Sequence, residues 1–305
     1  DMMARLKMNR LHLHLTDAAG WRIEVEAYPR LTEYAAWRKG ATWKEWWSRD
    51  NRDYAEMGTE GAYGGFLTKE DAKELVRYAA DRYITIIPEI EMPGHSAEVV
   101  AAYPELACSQ KPEQQEDLCI GKEATFEMMQ TILDEIIEIF PSEYIHIGGD
   151  EAGKDNWAVW PDCQARMKTE GFTEVEQLQS YMIKRIESFA HEHGKRIIGW
   201  DEILEGGLAP DATVMSWRGT EGGMKAIAQG HDVIFTPTQY CYFDYKQDEA
   251  QYKPVGKFVP LEKVYSFEPM LEGISKEDEH HVLGLQGNLW TEHVLEDWHA
   301  EMQIY

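Results

Sequence analysis

The sequence is poor in basic residues, with 30 Lys and Arg against 55 Asp and Glu in 305 residues and a formal net charge of −25. A surface of that charge repels the phosphates of nucleic acids and anionic lipids. The sequence also lacks any run of about 18 apolar residues, the length needed to cross a bilayer as a helix. We therefore expect neither a nucleic-acid partner nor insertion into a membrane.

Cysteine is scarce, and the four cysteines of the chain are too few for the disulfide framework of a small secreted protein. Cys108 and Cys119 bracket a short polar loop. They form either a disulfide, in an oxidising compartment, or two thiols. Cys163 and Cys241 are expected to be isolated thiols.

Internal repeats, low-complexity tracts and linkers rich in Gly, Ser or Pro are also absent, so nothing divides the chain into domains. With 43% apolar residues, the chain can bury a large core. We predict a single catalytic domain over residues 1–305. The opening stretch "DMMARLKMNR" is typical of the later part of a helix, so a fragment of a longer protein is expected.

Short β-branched, apolar runs alternate with helical patterns along the chain. The predicted strands cover residues 10–15, 84–90, 144–149, 196–200, 213–217, 232–237 and 283–290. The clearest helical patterns cover residues 68–82, 123–140 and 176–194. Thr68 with Asp71 resembles a capping box, and Gly194 occupies a C-cap position. This alternation predicts parallel strands joined by helical crossovers.

Two α/β architectures fit this alternation, an open doubly wound sheet and a (β/α)8 TIM barrel. Polar and aromatic residues follow nearly every predicted strand, at Asp17, Glu89, Glu91, His95, Asp150, Glu151, Trp200, Trp217, Tyr242, Asp244, Trp290 and Glu292. In an open sheet the functional residues lie at one switch point, whereas in a barrel nearly every strand contributes functional residues to one rim. We therefore predict the barrel. Because seven strands are counted, we expect the first strand upstream of Asp1 and an early end to the last helix near Tyr305.

Two carboxylates, Asp150 and Glu151, follow the strand in "YIHIGGDEAG". A carboxylate pair is typical of glycoside hydrolysis, but an acid and a protein nucleophile face each other about 5–5.5 Å apart. Adjacent side chains on a strand diverge instead, although Gly148 and Gly149 can bend the chain and bring both to the rim. We therefore expect Glu151 to protonate the glycosidic oxygen while Asp150 holds another part of the same sugar.

If that part is a 2-acetamido group, its own carbonyl oxygen can attack the anomeric carbon. Asp150 would then orient the amide N–H and stabilise the oxazolinium charge as it develops. Glu151 must stay protonated until it is needed. Its pKa is therefore expected above the ordinary value of about 4.3, raised by burial and by Asp150.

Aromatic residues close several predicted strands, notably Trp200, Trp217 and Trp290. Such rings stack on the C–H faces of sugars and can enclose an acetyl methyl group. Tyr242 is a candidate donor to the acetamide carbonyl. Asp244 and Glu292 are candidate acceptors for sugar hydroxyls.

The motifs "LHLHLTDAAGWRIEV", "ITIIPEIEMPGHS", "HIGGDEAGKDNW", "GWDEIL", "MSWRG", "YCYFDY" and "GNLWTEH" occur in this order. Together they cover almost the whole chain, which resembles the β-N-acetylhexosaminidases of glycoside hydrolase family 20. The resemblance implies an exo-acting, retaining enzyme without metal or organic cofactor, which acts on an oligosaccharide or glycoconjugate. It would remove terminal β-linked N-acetylglucosamine or N-acetylgalactosamine by substrate-assisted catalysis through an oxazolinium intermediate.

The resemblance also implies residue roles. Glu151 matches the general acid/base and Asp150 the residue that orients the acetamido group. Asp17 and His95 match a hydrogen-bonded relay to the acid. The remaining matches are to residues that bind the sugar. Trp200, Trp217 and Trp290 match the walls of the pocket. Tyr242 matches the residue that binds the acetamide oxygen, and Asp244 and Glu292 match residues that bind hydroxyls.

The chain departs from the family pattern in two places. Nothing aligns with the arginine that ends the family's first barrel strand, and the usual "TDDQGWR" reads "TDAAGWR". Ala18 and Ala19 therefore replace polar residues beside Asp17. Residues 44–65 are predicted to form a long loop, which either shapes further sugar subsites or is inert surface.

Two other functions would also use some of these residues. His12 and His14 share one face of a strand and, with His95, His146 and Asp17, would suit a metal-dependent hydrolase, but later strands end in Trp, Glu and Tyr. A catalytically inactive carbohydrate-binding barrel would need only the tryptophans, whereas this chain retains both carboxylates.

Because free glycans are met outside the cytoplasm, we expect an exported protein, in a bacterial periplasm or outside the cell. These motifs leave open the preference at the sugar 4-hydroxyl and the release of mono- or disaccharides.

Overall fold

The computed structural model describes residues 1–48, 52–248 and 255–304 of the chain. The chain divides into two compact units. Unit 1 comprises Asp1–Ala41 and Trp46–Asp211, and unit 2 comprises Thr42–Glu45 and Ala212–Tyr305.

The strands of unit 1 are β1 (Arg10–His14), β2 (Trp37–Lys39), β3 (Ala62–Gly64), β4 (Thr85–Met92), β5 (Tyr144–Gly148) and β6 (Arg196–Trp200). Strands β1, β4, β5 and β6 pair in that order, and every pairing is parallel. The register aligns His14 with Glu89 and Glu89 with His146. Polar side chains from three neighbouring strands therefore lie side by side in the interior of unit 1.

The strands of unit 2 are β7 (Thr213–Ser216), β8 (Val233–Phe235), β9 (Tyr245–Lys246), β10 (Val255–Phe258) and β11 (Val282–Leu285). Strand β8 pairs in parallel with both β7 and β11. A separate bridge joins Tyr242 to Asn288. This bridge fixes the segment after β8 against the segment after β11.

The helices are α1 (Met2–Arg5), α2 (Arg30–Glu33), α3 (Trp43–Trp47), α4 (Lys69–Ala80), α5 (Ala97–Ala102), α6 (Glu123–Ile139), α7 (Asp155–Val159), α8 (Pro161–Glu170), α9 (Glu176–Glu192), α10 (Glu221–Ile227), α11 (Thr238–Cys241), α12 (Leu261–Tyr265) and α13 (Asp297–Ile304). Short 3-10 turns cover Pro104–Leu106, Pro112–Gln114, Asp201–Leu204 and Glu279–His281. Among the described residues, no helix combines the length and the apolar character needed to span a bilayer.

The predicted α/β fold with parallel strands is confirmed, and most predicted elements lie within a few residues of their observed bounds. Thr68 and Asp71 form the expected capping box at the start of α4. Gly194 follows α9 with φ +67°, the left-handed conformation of a helix C-terminus. Strand β4 is buried along almost its whole length, as expected of a parallel strand covered on both faces. The closed barrel stays a prediction.

Three local predictions need correction. Residues 44–65 are not a plain loop, because they contain most of α3 and the strand β3, which pairs antiparallel with β2. The last predicted strand, 283–290, is observed only as Val282–Leu285. Cys163 is a free thiol as predicted, but it is not isolated, since its sulfur contacts a disulfide formed by Cys108 and Cys119.

Candidate active site

The turn after β5 brings Asp150 and Glu151 to the same partner. Gly148 and Gly149 adopt left-handed backbone angles, φ +68° and +90°, and a Cβ on Gly148 would overlap the Glu91 carboxylate. Only glycine fits there without strain. The resulting bend leaves Asp150 Oδ2 and Glu151 Oε2 each 3.4 Å from His95 Nε2. Adjacent carboxylates thus converge on one imidazole, although their side chains would diverge on a regular strand.

His95 links these carboxylates to a third one. Its Nδ1 lies 3.1 Å from Asp17 Oδ1. Burial alone would lower the pKa of His95, but hydrogen bonds to Asp150, Asp17 and Glu151 raise it far above its ordinary value. His95 is therefore an imidazolium at neutral pH, with one carboxylate beside Nδ1 and two beside Nε2.

Asp17 completes the predicted relay. Burial would raise the pKa of Asp17, but the hydrogen bond and charge of His95, the charge of His14 and the Ala18 N–H lower it overall. Asp17 is therefore ionised. The structure brings Asp17, His95, Asp150 and Glu151 together as a continuous polar chain.

The two carboxylates beyond His95 differ in exposure. The Asp150 side chain is 14% exposed and that of Glu151 is 58% exposed. Asp150 Oδ1 is buried and accepts no hydrogen bond from the described residues. The burial expected for Glu151 is therefore wrong. The arrangement offers a buried acceptor beside an accessible acid.

Glu89, on β4, is the centre of a buried polar cluster in unit 1. Its carboxylate lies 2.7 Å from His12 Nε2 and 2.8 Å from His146 Nδ1, and it accepts a hydrogen bond of 2.9 Å from the Trp200 indole N–H. Burial would raise the pKa of Glu89, but His146, His14 and His12 lower it well below the ordinary value. Glu89 is therefore a buried anion in contact with two histidine rings and with the Trp200 indole N–H.

Glu91 lies two residues further along β4 and behaves in the opposite way. Its Oε1 is 3.3 Å from His14 Nε2. Burial, together with the charges of Asp150 and Glu89, raises the pKa of Glu91 well above its ordinary value. A neutral acid thus lies near the Asp150 carboxylate. The "EIE" spacing puts both glutamates on one face of the strand, but the sequence alone indicates no role for either of them.

Trp200 has a different environment from the one predicted for a pocket wall. It is only 2% exposed, its ring contacts those of His146 and His12, and its N–H is bound to Glu89. In unit 1, Trp200 therefore contributes to the buried cluster. Its contact with a sugar stays a prediction.

The five residues that would suit a metal-dependent hydrolase do not form one cluster among the described residues. His12 and His146 group with Glu89, His14 groups with Glu89 and Glu91, and His95 groups with Asp150 and Glu151. The His12 and His146 contacts to Glu89, 2.7 and 2.8 Å, have the length of direct charge-assisted hydrogen bonds. Both histidines thus contact the Glu89 carboxylate directly, and His146 Nδ1 also accepts a hydrogen bond of 3.1 Å from the Gly148 N–H.

Unit 2 brings together the remaining predicted residues. The Trp217 and Tyr242 rings stack with centroids 6.3 Å apart, and Trp290 lies 6.1 Å from Tyr242. Asp244 is 9% exposed. Burial raises its pKa to about 7, with the charge of Glu292 adding to the effect and a Trp290 backbone hydrogen bond opposing it. Unit 2 thus combines an aromatic group with a buried carboxyl that titrates near neutrality.

Comparison with known proteins agrees with this arrangement. A family model described as "Glycosyl hydrolase family 20, catalytic domain" matches residues 1–305. A β-hexosaminidase from Porphyromonas gingivalis is 45% identical over 316 residues, covering 100% of this chain and 38% of that protein. One from Vibrio furnissii is 34% identical over 320 residues, covering 100% of this chain and 51% of that protein. The chain thus spans about half or less of the length of these two relatives.

Solved structures are similar as well. The exo β-N-acetylglucosaminidase from Vibrio harveyi in complex with N-acetylglucosamine has 31% identity and a TM-score of 0.87, covering 100% of this chain and 48% of that one. A β-N-acetylhexosaminidase from Bacteroides fragilis has 31% identity and a TM-score of 0.81, covering 100% of this chain and 59% of that one.

Proposed function

This chain belongs to glycosyl hydrolase family 20, and we propose that it is the catalytic domain of an exo-acting, retaining β-N-acetylhexosaminidase. The proposed substrate is an oligosaccharide or glycoconjugate that ends in β-linked N-acetylglucosamine or N-acetylgalactosamine. The observation that carries the proposal is the position of Asp150 and Glu151 at 3.4 Å from the same His95 nitrogen. Two carboxylates on one side of a sugar suit an acid and an amide-binding residue better than an acid and a protein nucleophile.

In the first step, the acetamide oxygen attacks the anomeric carbon and the bond to the aglycone breaks. Glu151, the more exposed acid, gives its proton to the departing oxygen. Asp150 accepts a hydrogen bond from the amide N–H through its buried Oδ1 and stabilises the positive charge of the oxazolinium.

In the second step, Glu151 takes a proton from water, which attacks the same carbon and regenerates the acetamide. Two inversions at the anomeric carbon give overall retention. The imidazolium of His95, fixed by Asp17, supplies a positive charge that compensates the neighbouring carboxylates as the proton leaves and returns to Glu151.

The unit 2 residues are proposed to bind the terminal sugar. Trp217 and Trp290, whose rings lie 6.3 and 6.1 Å from that of Tyr242, offer apolar faces for the ring and the acetyl methyl. Tyr242 is proposed to donate to the acetamide carbonyl. Asp244 and Glu292 are proposed to accept hydrogen bonds from sugar hydroxyls.

We extend the proposal to architecture and location. The parallel strands of both units and the similarity to solved family members support a (β/α)8 barrel. The Cys108–Cys119 disulfide supports export to a periplasm or to the outside of the cell, because disulfides persist in oxidising compartments.

A pair of chromogenic β-glycosides tests the proposed function, one with a 2-acetamido group and one with a 2-hydroxyl group on the same sugar. The full-length protein should cleave the first and leave the second intact, with activity that survives exhaustive chelation. Equal cleavage of both would contradict substrate assistance. Binding of N-acetylglucosamine without cleavage would instead favour the inactive carbohydrate-binding barrel, and activity that chelation removes and zinc restores would favour a metal hydrolase.

A further inference from the structure

Three buried sulfur atoms lie together in unit 1, away from the carboxylates of the candidate site. Cys108 and Cys119 form a disulfide. The free thiol of Cys163 lies 3.3 Å from the Cys108 sulfur and 3.7 Å from the Cys119 sulfur. All three residues are at most 1% exposed. The free thiol is thus in contact with both halves of the disulfide.

The backbone holds these sulfur atoms in place independently of the disulfide. Cys108 and Cys119 each follow one partner of the bridge between Ala107 and Leu118. Cys163 is the third residue of α8. A Cβ on Gly121 would overlap the Asp162–Cys163 peptide, so the chain that leaves Cys119 packs directly on the start of α8.

We propose that, when the disulfide is reduced, Cys108, Cys119 and Cys163 form a trithiolate site for a soft divalent metal ion such as Zn²⁺ or Cd²⁺. Tetrahedral zinc with bonds of about 2.3 Å to sulfur separates its sulfur ligands by about 3.8 Å. The distances of Cys163 to its two partners, 3.3 and 3.7 Å, are already close to that spacing. Only the Cys108 and Cys119 sulfur atoms must move apart, which cleavage of their bond allows.

The reaction balances with an external dithiol as reductant. The dithiol gives two electrons and two protons to the disulfide and becomes a disulfide itself, which leaves three protein thiols. The metal ion then replaces the three thiol protons. Burial and the charge of Asp162 oppose a Cys163 thiolate, whereas the charges of Lys122 and Arg166 favour it, so the charge of the metal ion is needed to displace the proton. Disulfide and metal are therefore alternative cross-links of the same cluster.

Such a cross-link would support the candidate site. The loop between Cys108 and Cys119 contains Asp117, whose carboxylate accepts a hydrogen bond of 2.9 Å from the Gly153 N–H, two residues after Glu151. The Leu118 N–H donates to the Pro93 carbonyl at 2.8 Å, two residues before His95. Disulfide or metal would tie this loop down, whereas the reduced, metal-free chain would have neither link.

Metal titration of the purified protein tests this inference without reference to its activity. A phosphine reductant, oxidised to its phosphine oxide, would reduce the disulfide without adding a competing thiol. Reduced wild-type protein should then bind Cd²⁺ at one ion per chain, with a sulfur-to-cadmium charge-transfer band in the ultraviolet. The oxidised protein should show no band. Cys241→Ser removes the other buried free thiol, which lies in unit 2, and should titrate like wild type.

Cys163→Ser should lose most of the band and bind Cd²⁺ more weakly, while keeping its disulfide under oxidising conditions. Equal titration of Cys163→Ser and wild type, or no band in reduced wild type, would overturn the inference. Zinc X-ray absorption of the reduced wild type provides a second measurement if the variant does not fold. Three sulfur ligands per zinc support the site, and two or fewer refute it.

Discussion

Replacing the buried Glu98 with glutamine should make the stability of the protein less dependent on pH. Glu98 lies in α5 and is fully buried, and neither carboxylate oxygen has a hydrogen-bond donor in another described residue. Burial raises its pKa to about 8, the charge of Asp17 adds to this, and its own backbone N–H, His95 and Arg22 oppose it. Tyr54 also interacts with it electrostatically. Glu98 is therefore neutral in the folded protein at pH 7.

The magnitude follows from the two pKa values, about 4.5 for an ordinary glutamate and about 8 in the fold. Below the lower value, Glu98 is protonated in both states and costs nothing. Between the two values only the unfolded chain ionises, so the free energy of unfolding falls by about 1.4 kcal/mol per pH unit as pH rises. From pH 4.5 to pH 7 the loss amounts to about 3 kcal/mol, and it stops growing above the folded pKa.

Urea unfolding at several pH values between about 5 and 8 gives the free energy of unfolding at each pH. The slope of this free energy against pH measures the contribution of Glu98. The glutamine of Glu98→Gln cannot ionise. The free energy of unfolding of this variant should therefore rise relative to that of wild type by about 1.4 kcal/mol per pH unit. A constant cost of burying the amide would not change this slope. Glu105→Gln changes an exposed glutamate nearby and should follow the wild-type slope. Identical slopes for Glu98→Gln and wild type would refute the reasoning.

Further predictions concern the catalytic and buried groups. Glu151→Gln should abolish turnover of glycosides with poor leaving groups and partly spare good ones; equal losses for both would argue against a proton donor. Asp150→Asn should lower kcat by about 10²–10³-fold with an unchanged urea midpoint, and wild-type kcat would count against its role. Wild-type KM should rise as pH falls through about 7 because the Asp244 carboxylate becomes protonated. Asp244→Asn should show no such rise, and the same dependence of KM on pH in both proteins would exclude Asp244 as the cause. Trp200→Phe removes the N–H donor to Glu89 and should cost about 1.5–3 kcal/mol in the free energy of unfolding; a loss below that range would show the bond to be dispensable.

The sequence was most informative about elements with strong local patterns. Buried parallel strands such as β4 and β5 are β-branched runs that end at turn residues, so their positions were predicted closely. Strands β2 and β3 were missed because each has only three residues, too few to show an alternating pattern. The last strand was predicted too long because Leu289 and Trp290 extend the apolar pattern, whereas regular pairing ends at Leu285 and is followed only by the isolated bridge at Asn288.

The candidate site was predictable by residue type but not by geometry. The Asp-Glu pair and the double glycine are visible in the sequence, whereas the convergence on His95 also needs the left-handed φ of +46° at Glu151, which no residue preference indicates. Cys163 is 44 and 55 residues away from its sulfur partners. The burial of Glu98 likewise depends on tertiary packing, since helices usually leave glutamate exposed.

A substrate series with successive fluorine atoms on the acetamide methyl tests the central claim most directly. Each fluorine withdraws electrons from the carbonyl oxygen and makes it a weaker nucleophile, while the leaving group stays the same. If the substrate's amide forms the new bond to the anomeric carbon, kcat/KM should fall steeply with every fluorine added. A rate that does not respond to fluorination, together with a sugar covalently attached to a side chain, would show that the enzyme supplies the nucleophile.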